Sequence, residues 1–189
     1  RSLTIDLRPI LAIAIPAILT QLATPIGQAY VTRAMAEFGE EAVAGMAIVA
    51  RMTPVGFGII FALSGAIGPI IGQNAGAGLN QRVRGAFWDG LLFTAIVVVV
   101  VSGLFFLARP AIQMLFQLED GLALTLVFLF AGPLSLMFFF NGVIFVANAA
   151  FNNLGHPFYS TTVNWGRHTL GTIPFVVVGA ALLGAPGVL

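Results

Sequence analysis

Two sets of side chains and one glycine cluster have types and spacing that could do chemistry. Gln21, Thr24 and Gln28 are three and four residues apart, which puts them on one face of a helix. Asn141, Asn148 and Asn152 are seven and four apart and share a face in the same way. Unpaired amides in hydrocarbon cost roughly 2–7 kcal/mol each, so both faces must meet other helices or water. Two uses satisfy that demand. One is hydrogen bonding between helices, worth about 0.6 kcal/mol on average in one membrane protein. The other is the polar wall of a translocation cavity.

The glycine cluster is Ile70 to Gly78, which reads IIGQNAGAG. A dinucleotide fingerprint would need a third glycine at Gln81, and a phosphate-binding P-loop would need a lysine, which the chain lacks. A helical reading fits better. Ser64, Gly68, Gly72 and Gly76 recur every four residues and form a small-residue stripe that lets a second helix approach closely. Pro69 sits within the stripe as a bending point, and Gly78 opens a polar turn rich in Gly, Gln and Arg. His156 lies in the turn signal Gly155-His156-Pro157, and His168 beside Arg167 at an expected membrane edge, both in structural or interfacial roles. No Ser-His-Asp signature, paired catalytic carboxylates or metal-ligand cluster stands out, so neither an enzyme nor a cofactor is expected.

Composition decides where such residues must sit. The chain has 189 residues, 59% of them hydrophobic and only 8% charged, where a soluble domain carries about 25%. With a mean hydropathy of +1.01, it needs an apolar solvent. The net charge is +1, and no basic run points to nucleic acid. There is no cysteine, which excludes disulfides and thiol chemistry. The chain begins at Arg1 and stops inside an apolar stretch, and is expected to be a fragment.

Five segments reach the roughly 20 apolar residues that a spanning helix needs. They cover about 10–32, 47–73, 85–107, 122–151 and 163–183. Little period-two alternation runs through them, which favours helices over barrel strands. The fold expected is therefore all-α and integral to a membrane. Pro16 and Pro25 would bend the first span. Alternating loops put Arg1, Arg8, Arg82, Arg84 and Arg167 on one side, and Arg33, Arg51 and Arg109 on the other. The positive-inside rule then has the first span entering from the cytoplasm. No acid lies deep in a predicted span, and Arg167 falls near the start of the fifth.

Three stretches carry a family resemblance: Ala14 to Met52, Gly68 to Ala86 (GPIIGQNAGAGLNQRVRGA), and Phe145 to Pro157 (FVANAAFNNLGHP). Together they resemble the C-terminal lobe of the multidrug and toxic compound extrusion (MATE) transporters, about helices seven to eleven of twelve. The resemblance implies a partial six-helix lobe of a two-lobe exporter in a prokaryotic inner membrane. It implies a drug or organic cation as substrate and H+ or Na+ as coupling ion. The partners implied are an N-terminal lobe and a final helix of the same protein. One branch of the family has acids in its seventh and tenth helices, where this chain offers Gln21, Gln28, Asn141 and Asn148. The coupling carboxylate is thus expected in the other lobe. Two alternatives remain: a non-transporting membrane scaffold, and a lipid-linked precursor flippase of the same superfamily. Flippases often meet phosphates with basic cavity residues, and no Arg lies deep in a predicted span.

Overall fold

The computed structural model describes residues 2–189. Side chains of residues 2–6, 8, 9, 12, 13, 16 and 17 fall outside the described set, and with them the expectations attached to Arg1, Asp6, Arg8 and Pro16. The described chain is helical throughout and has no strand. The helices are α1 (Ser2–Ala36), α2 (Glu40–Gly76), α3 (Asn80–Leu107), α4 (Arg109–Leu115), α5 (Leu122–Leu129), α6 (Phe138–Asn153), α7 (Pro157–His168) and α8 (Ile173–Leu183). Among the described residues, Glu40–Gly76, Asn80–Leu107 and Pro157–Leu183 are long and apolar enough to cross a membrane. Leu122–Leu134 with Phe138–Asn153 makes a fourth if the bent pair is one span. The first expected span, 10–32, lies within α1.

α2 is the central element and packs on α3, α5 and α6, while α1 packs chiefly against α7. At 37 residues α2 rises about 55 Å, well beyond a hydrocarbon core of about 30 Å, so its ends reach polar surroundings. It starts with Glu40 and Glu41, carboxylates that favour a helix N-terminus. It stops in a Schellman turn: Gly78 adopts φ +73, and the Leu79 amide donates to the Asn74 carbonyl at 2.9 Å. α6 ends the same way at Gly155, with the His156 amide on the Phe151 carbonyl at 2.8 Å. Gly78 therefore serves a helix end and not a phosphate.

The core between α2, α3 and α6 is aromatic. Phe57 is fully buried and stacks on Phe138 at 4.1 Å, and Phe105 meets it edge-on at 6.0 Å. Phe61 continues the cluster to Phe145 at 5.1 Å. Outside the bundle, Val55, Leu92, Val99, Leu107 and Leu182 stand largely exposed, as a lipid-facing surface requires.

Two expected spans are interrupted, each at a proline. The fourth was expected to run unbroken over 122–151. It passes through a π-helical segment at Phe130–Leu134 with non-helical backbone at Ala131 and Gly132, and Leu122–Leu134 is bent by 62° from Phe138–Asn153. Pro133 has no N–H for the carbonyl four residues back, and its ring crowds the preceding turn. The Arg109 guanidinium donates to the Phe128 carbonyl, four residues before the non-helical Gly132. The fifth span breaks at 169–172, just before Pro174 opens α8. There the Gly171 amide donates to the Gly166 carbonyl, five residues back, at 2.9 Å, and the Thr172 hydroxyl donates to the Arg167 carbonyl at 2.9 Å. α1 passes Pro25 without a break in its helix.

Candidate functional site

Hydrogen bonds seat α7 against α1. Trp165 Nε1 donates to the Leu19 carbonyl at 2.9 Å, and the Thr20 and Thr161 hydroxyls meet at 2.8 Å. α7 also turns Ser160, Thr161 and Asn164 into the protein, where they are buried. The Ser160 hydroxyl donates to Asn152 Oδ1 at 3.0 Å, tying α7 to α6. α1, α6 and α7 thus form a polar seam beside the aromatic core.

Two clefts lie along this seam. The first, of about 500 Å³, is lined by Thr24 and Gln28 of α1, Asn141 of α6, Arg167 and His168 of α7, and Thr53 of α2. The second, of about 760 Å³, is lined by Gln21, Thr24 and Pro25 of α1, Ser64, Gly68 and Pro69 of α2, and Asn148, Asn152 and Asn153 of α6. Thr24 and Arg167 line both. All six residues singled out on the two amide faces therefore reach one cleft or the other. Gln21, Thr24 and Gln28 are exposed to them, Asn141 and Asn148 are half-buried, and Asn152 is exposed but held by Ser160. The Asn148 side-chain oxygen is buried with no hydrogen-bond partner.

The small-residue stripe divides between packing and cleft. A Cβ on Gly68 would run into the Asn153 amide, and one on Gly72 would touch Asn153 Oδ1 at 3.4 Å. These two glycines thus admit Asn153 of α6. Gly76 faces open space, and the Ser64 hydroxyl turns back to the Phe61 carbonyl at 2.8 Å. His156 stays outside both clefts and stacks on Tyr159 at 5.4 Å.

Arg167 has a place that the sequence reading did not assign it. It ends the polar helix α7, just before the apolar α8, and is half-buried on the wall shared by both clefts. Its Nη1 donates to Asn141 Oδ1, and its Nη2 lies 2.7 Å from His168 Nε2. Its Nε is buried without an acceptor. Glycines make room around this pair: a Cβ on Gly27 of α1 would collide with the His168 ring, and one on Gly171 would come within 2.7 Å of the Arg167 carbonyl. Among the described residues no acid lines either cleft, and no group of three His, Asp or Glu gathers to hold a metal. The clefts offer amides, hydroxyls, one imidazole and one guanidinium. A signal for Arg167 was present in the sequence, since Ser160, Asn164 and Arg167 are spaced four and three apart on one helix face.

The sequence profile of the MatE family matches residues 16–178. The chain is 36% identical over 203 residues to an uncharacterized 21 kDa protein in the iaaL 5' region of Pseudomonas savastanoi, covering all of this chain and 62% of that protein. It is 29% identical over 184 residues to an FAD transporter of Shewanella oneidensis, covering 94% of this chain and 39% of the transporter. Its fold matches the crystal structure of a mutant of the Vibrio cholerae MATE transporter VcmN with a TM-score of 0.89 at 20% identity, over 98% of this chain and 42% of that one. The chain thus spans under two thirds of the length of each of these proteins. With the family profile spanning most of an all-helical, lipid-facing bundle, the chain belongs to the MatE family of membrane transporters.

Proposed function

We propose that this chain is part of one lobe of a secondary active exporter and forms one wall of its solute cavity. The observation that carries the reading is the meeting of two polar faces from distant parts of the sequence: Gln21, Thr24 and Gln28 with Asn141, Asn148 and Asn152 around adjoining clefts. A polar wall inside an apolar bundle is what a solute crossing a bilayer requires. In such transporters alternating access is largely the rocking of one helix bundle against another around a central site. The complete protein exchanges small organic solutes for H+ or Na+ across a prokaryotic inner membrane. The coupling carboxylate lies outside these clefts, in keeping with the absence of any acid among the described residues that line them. Family resemblance makes drugs and organic cations the first substrates to test, and Arg167 weighs against the cationic half of that class.

The test is flux in proteoliposomes carrying the complete protein, with ethidium and FAD as probes under imposed pH and Na+ gradients. Gradient-dependent flux of either probe is expected. Changing Gln21 and Asn141 together to Ala should weaken solute binding and leave ion coupling intact. Loss of ion coupling with binding preserved would overturn the assignment of these faces. Absence of flux with either gradient would favour a scaffold.

A second reading has one specific observation behind it. Arg167 places a permanent cation on the cleft wall, as a flippase for phosphate-bearing lipid precursors would need. Phosphate competition, described next, separates the two.

A further inference from the structure

Within the cavity reading, on which this inference rests, we propose that Arg167 is the recognition site for an anionic group, a carboxylate or phosphate, on the transported solute. A guanidinium half-buried in an apolar bundle is costly unless it is paired. Arg167 has no carboxylate partner among the described residues. The acids lie elsewhere: Glu41 accepts from the Leu122 amide at 2.9 Å, and Asp89 lies in a separate surface pocket with Arg82. What Arg167 has is a neutral mount. Asn141 Oδ1 and His168 Nε2 engage one nitrogen each, and both can hold the fork without neutralising it. A guanidinium carries five N–H donors in a planar fork whose geometry matches carboxylate and phosphate. Each Nη nitrogen carries a second N–H beyond the one its neighbour engages, and Arg167 lines both clefts, so the site retains both charge and donors. The same charge, with no acid among the described residues lining either cleft, repels an organic cation.

Arg109 shows how the fold covers an arginine when the purpose is structural. Its guanidinium donates to the Phe128 carbonyl and lies over the Phe106 and Phe128 rings, at 4.5 and 5.3 Å from their centroids. Arg167 has no such lid. The glycines at 27 and 171 instead hold His168 and the turn after Arg167 in place beside the cleft.

The experiment measures binding of three probes to the complete, detergent-purified protein: FAD, which carries two phosphates; riboflavin, the same ring system without them; and tetraphenylphosphonium, an organic cation. FAD is expected to bind on the order of ten-fold or more tightly than riboflavin. Arg167→Gln should abolish that preference, and Arg167→Lys should keep part of it, since an ammonium retains the charge but not the fork. Asn148→Asp puts a carboxylate in the same cleft with Arg167 intact, and should weaken FAD while strengthening tetraphenylphosphonium. Asn148→Asp keeps the test decisive if both Arg167 variants fail to fold. Titration with phosphatidylglycerol then identifies the source of the anion. Displacement of FAD by the lipid assigns the site to a headgroup phosphate, and its absence assigns it to a soluble solute. FAD binding untouched by Arg167→Gln or by Asn148→Asp overturns the inference while leaving the cavity reading standing. Binding of none of the three probes overturns the cavity reading, and the inference with it.

Discussion

Two arginines in this bundle have the same surface statistics and opposite surroundings. Arg109 and Arg167 are both half-buried, both have a buried Nε without an acceptor, and both sit beside a break in an expected span. Arg109 follows α3 and repairs the break at Gly132-Pro133, with a freed carbonyl ahead of it and two phenylalanine rings over it. Arg167 ends α7 on the wall of two clefts, held by an amide and an imidazole. The first is a cation consumed by the fold, and the second is a cation kept available. The difference lies in the neighbours: carbonyl and aromatic faces stabilise a guanidinium outright, whereas neutral hydrogen-bond partners aim it without cancelling its charge.

The comparison breaks most readily on stability. Arg109→Ala leaves the Phe128 carbonyl unmet and removes two ring contacts, for a loss of roughly 2–4 kcal/mol. Arg167→Gln removes an unneutralised charge from a low-dielectric wall and can keep one hydrogen bond. It should cost less than about 1 kcal/mol or stabilise the protein. Thermal unfolding of both variants in detergent measures the gap, and equal losses would erase the distinction. Next in size is Gly171→Val. A side chain there presses on the Arg167 backbone, with a Cβ 2.7 Å from the carbonyl oxygen and 3.2 Å from Cα. Backbone cannot swing aside as a flexible side chain can, so a cost of about 1–3 kcal/mol is expected. Gly58→Ala, at a helical site with nothing within 4 Å, should gain roughly 0.4–1 kcal/mol and serves as its reference.

How much of this was legible in the sequence follows the same division. Helix type and the lipid-facing segments were readable because hydrocarbon imposes both length and apolarity on whatever spans it. The amide faces were readable because helical spacing puts Gln21, Thr24 and Gln28 together wherever α1 packs. The two breaks were hidden although Gly132-Pro133 and Pro174 were in plain view. Whether a proline bends a membrane helix depends on what meets the freed carbonyl, and at Gly132-Pro133 that is Arg109, far away in sequence. α1 carries Pro25 and has no such break. The cleft-wall role of Arg167 was hidden for a related reason. Hydropathy treats polar residues as a membrane boundary, but Ser160, Thr161 and Asn164 are polar because they face other helices. Only packing can tell a buried polar face from a wet one. The partner of the glycine stripe was not legible either: Asn153 of α6 fills the space above Gly68 and Gly72, and only packing brings the two together.

The smallest expected effect sharpens the comparison most. Asn141→Ala removes the hydrogen-bond acceptor on Arg167 Nη1 and leaves the charge in place. The stability loss should be about 1 kcal/mol or less, because Arg167 stays beside His168 and the open cleft can supply water. If Asn141 only packs helices, nothing else should change. If it aims the guanidinium, the variant should bind FAD roughly 3–10-fold more weakly, as expected for losing about 1 kcal/mol of orientation. Its preference for FAD over riboflavin should shrink but survive, because the charge remains. Paired with Arg167→Gln, the same substitution should add little further loss, since two residues acting through one contact are not additive. Full additivity would show that Asn141 meets the solute by itself, and would move the anion site from Arg167 alone to the pair.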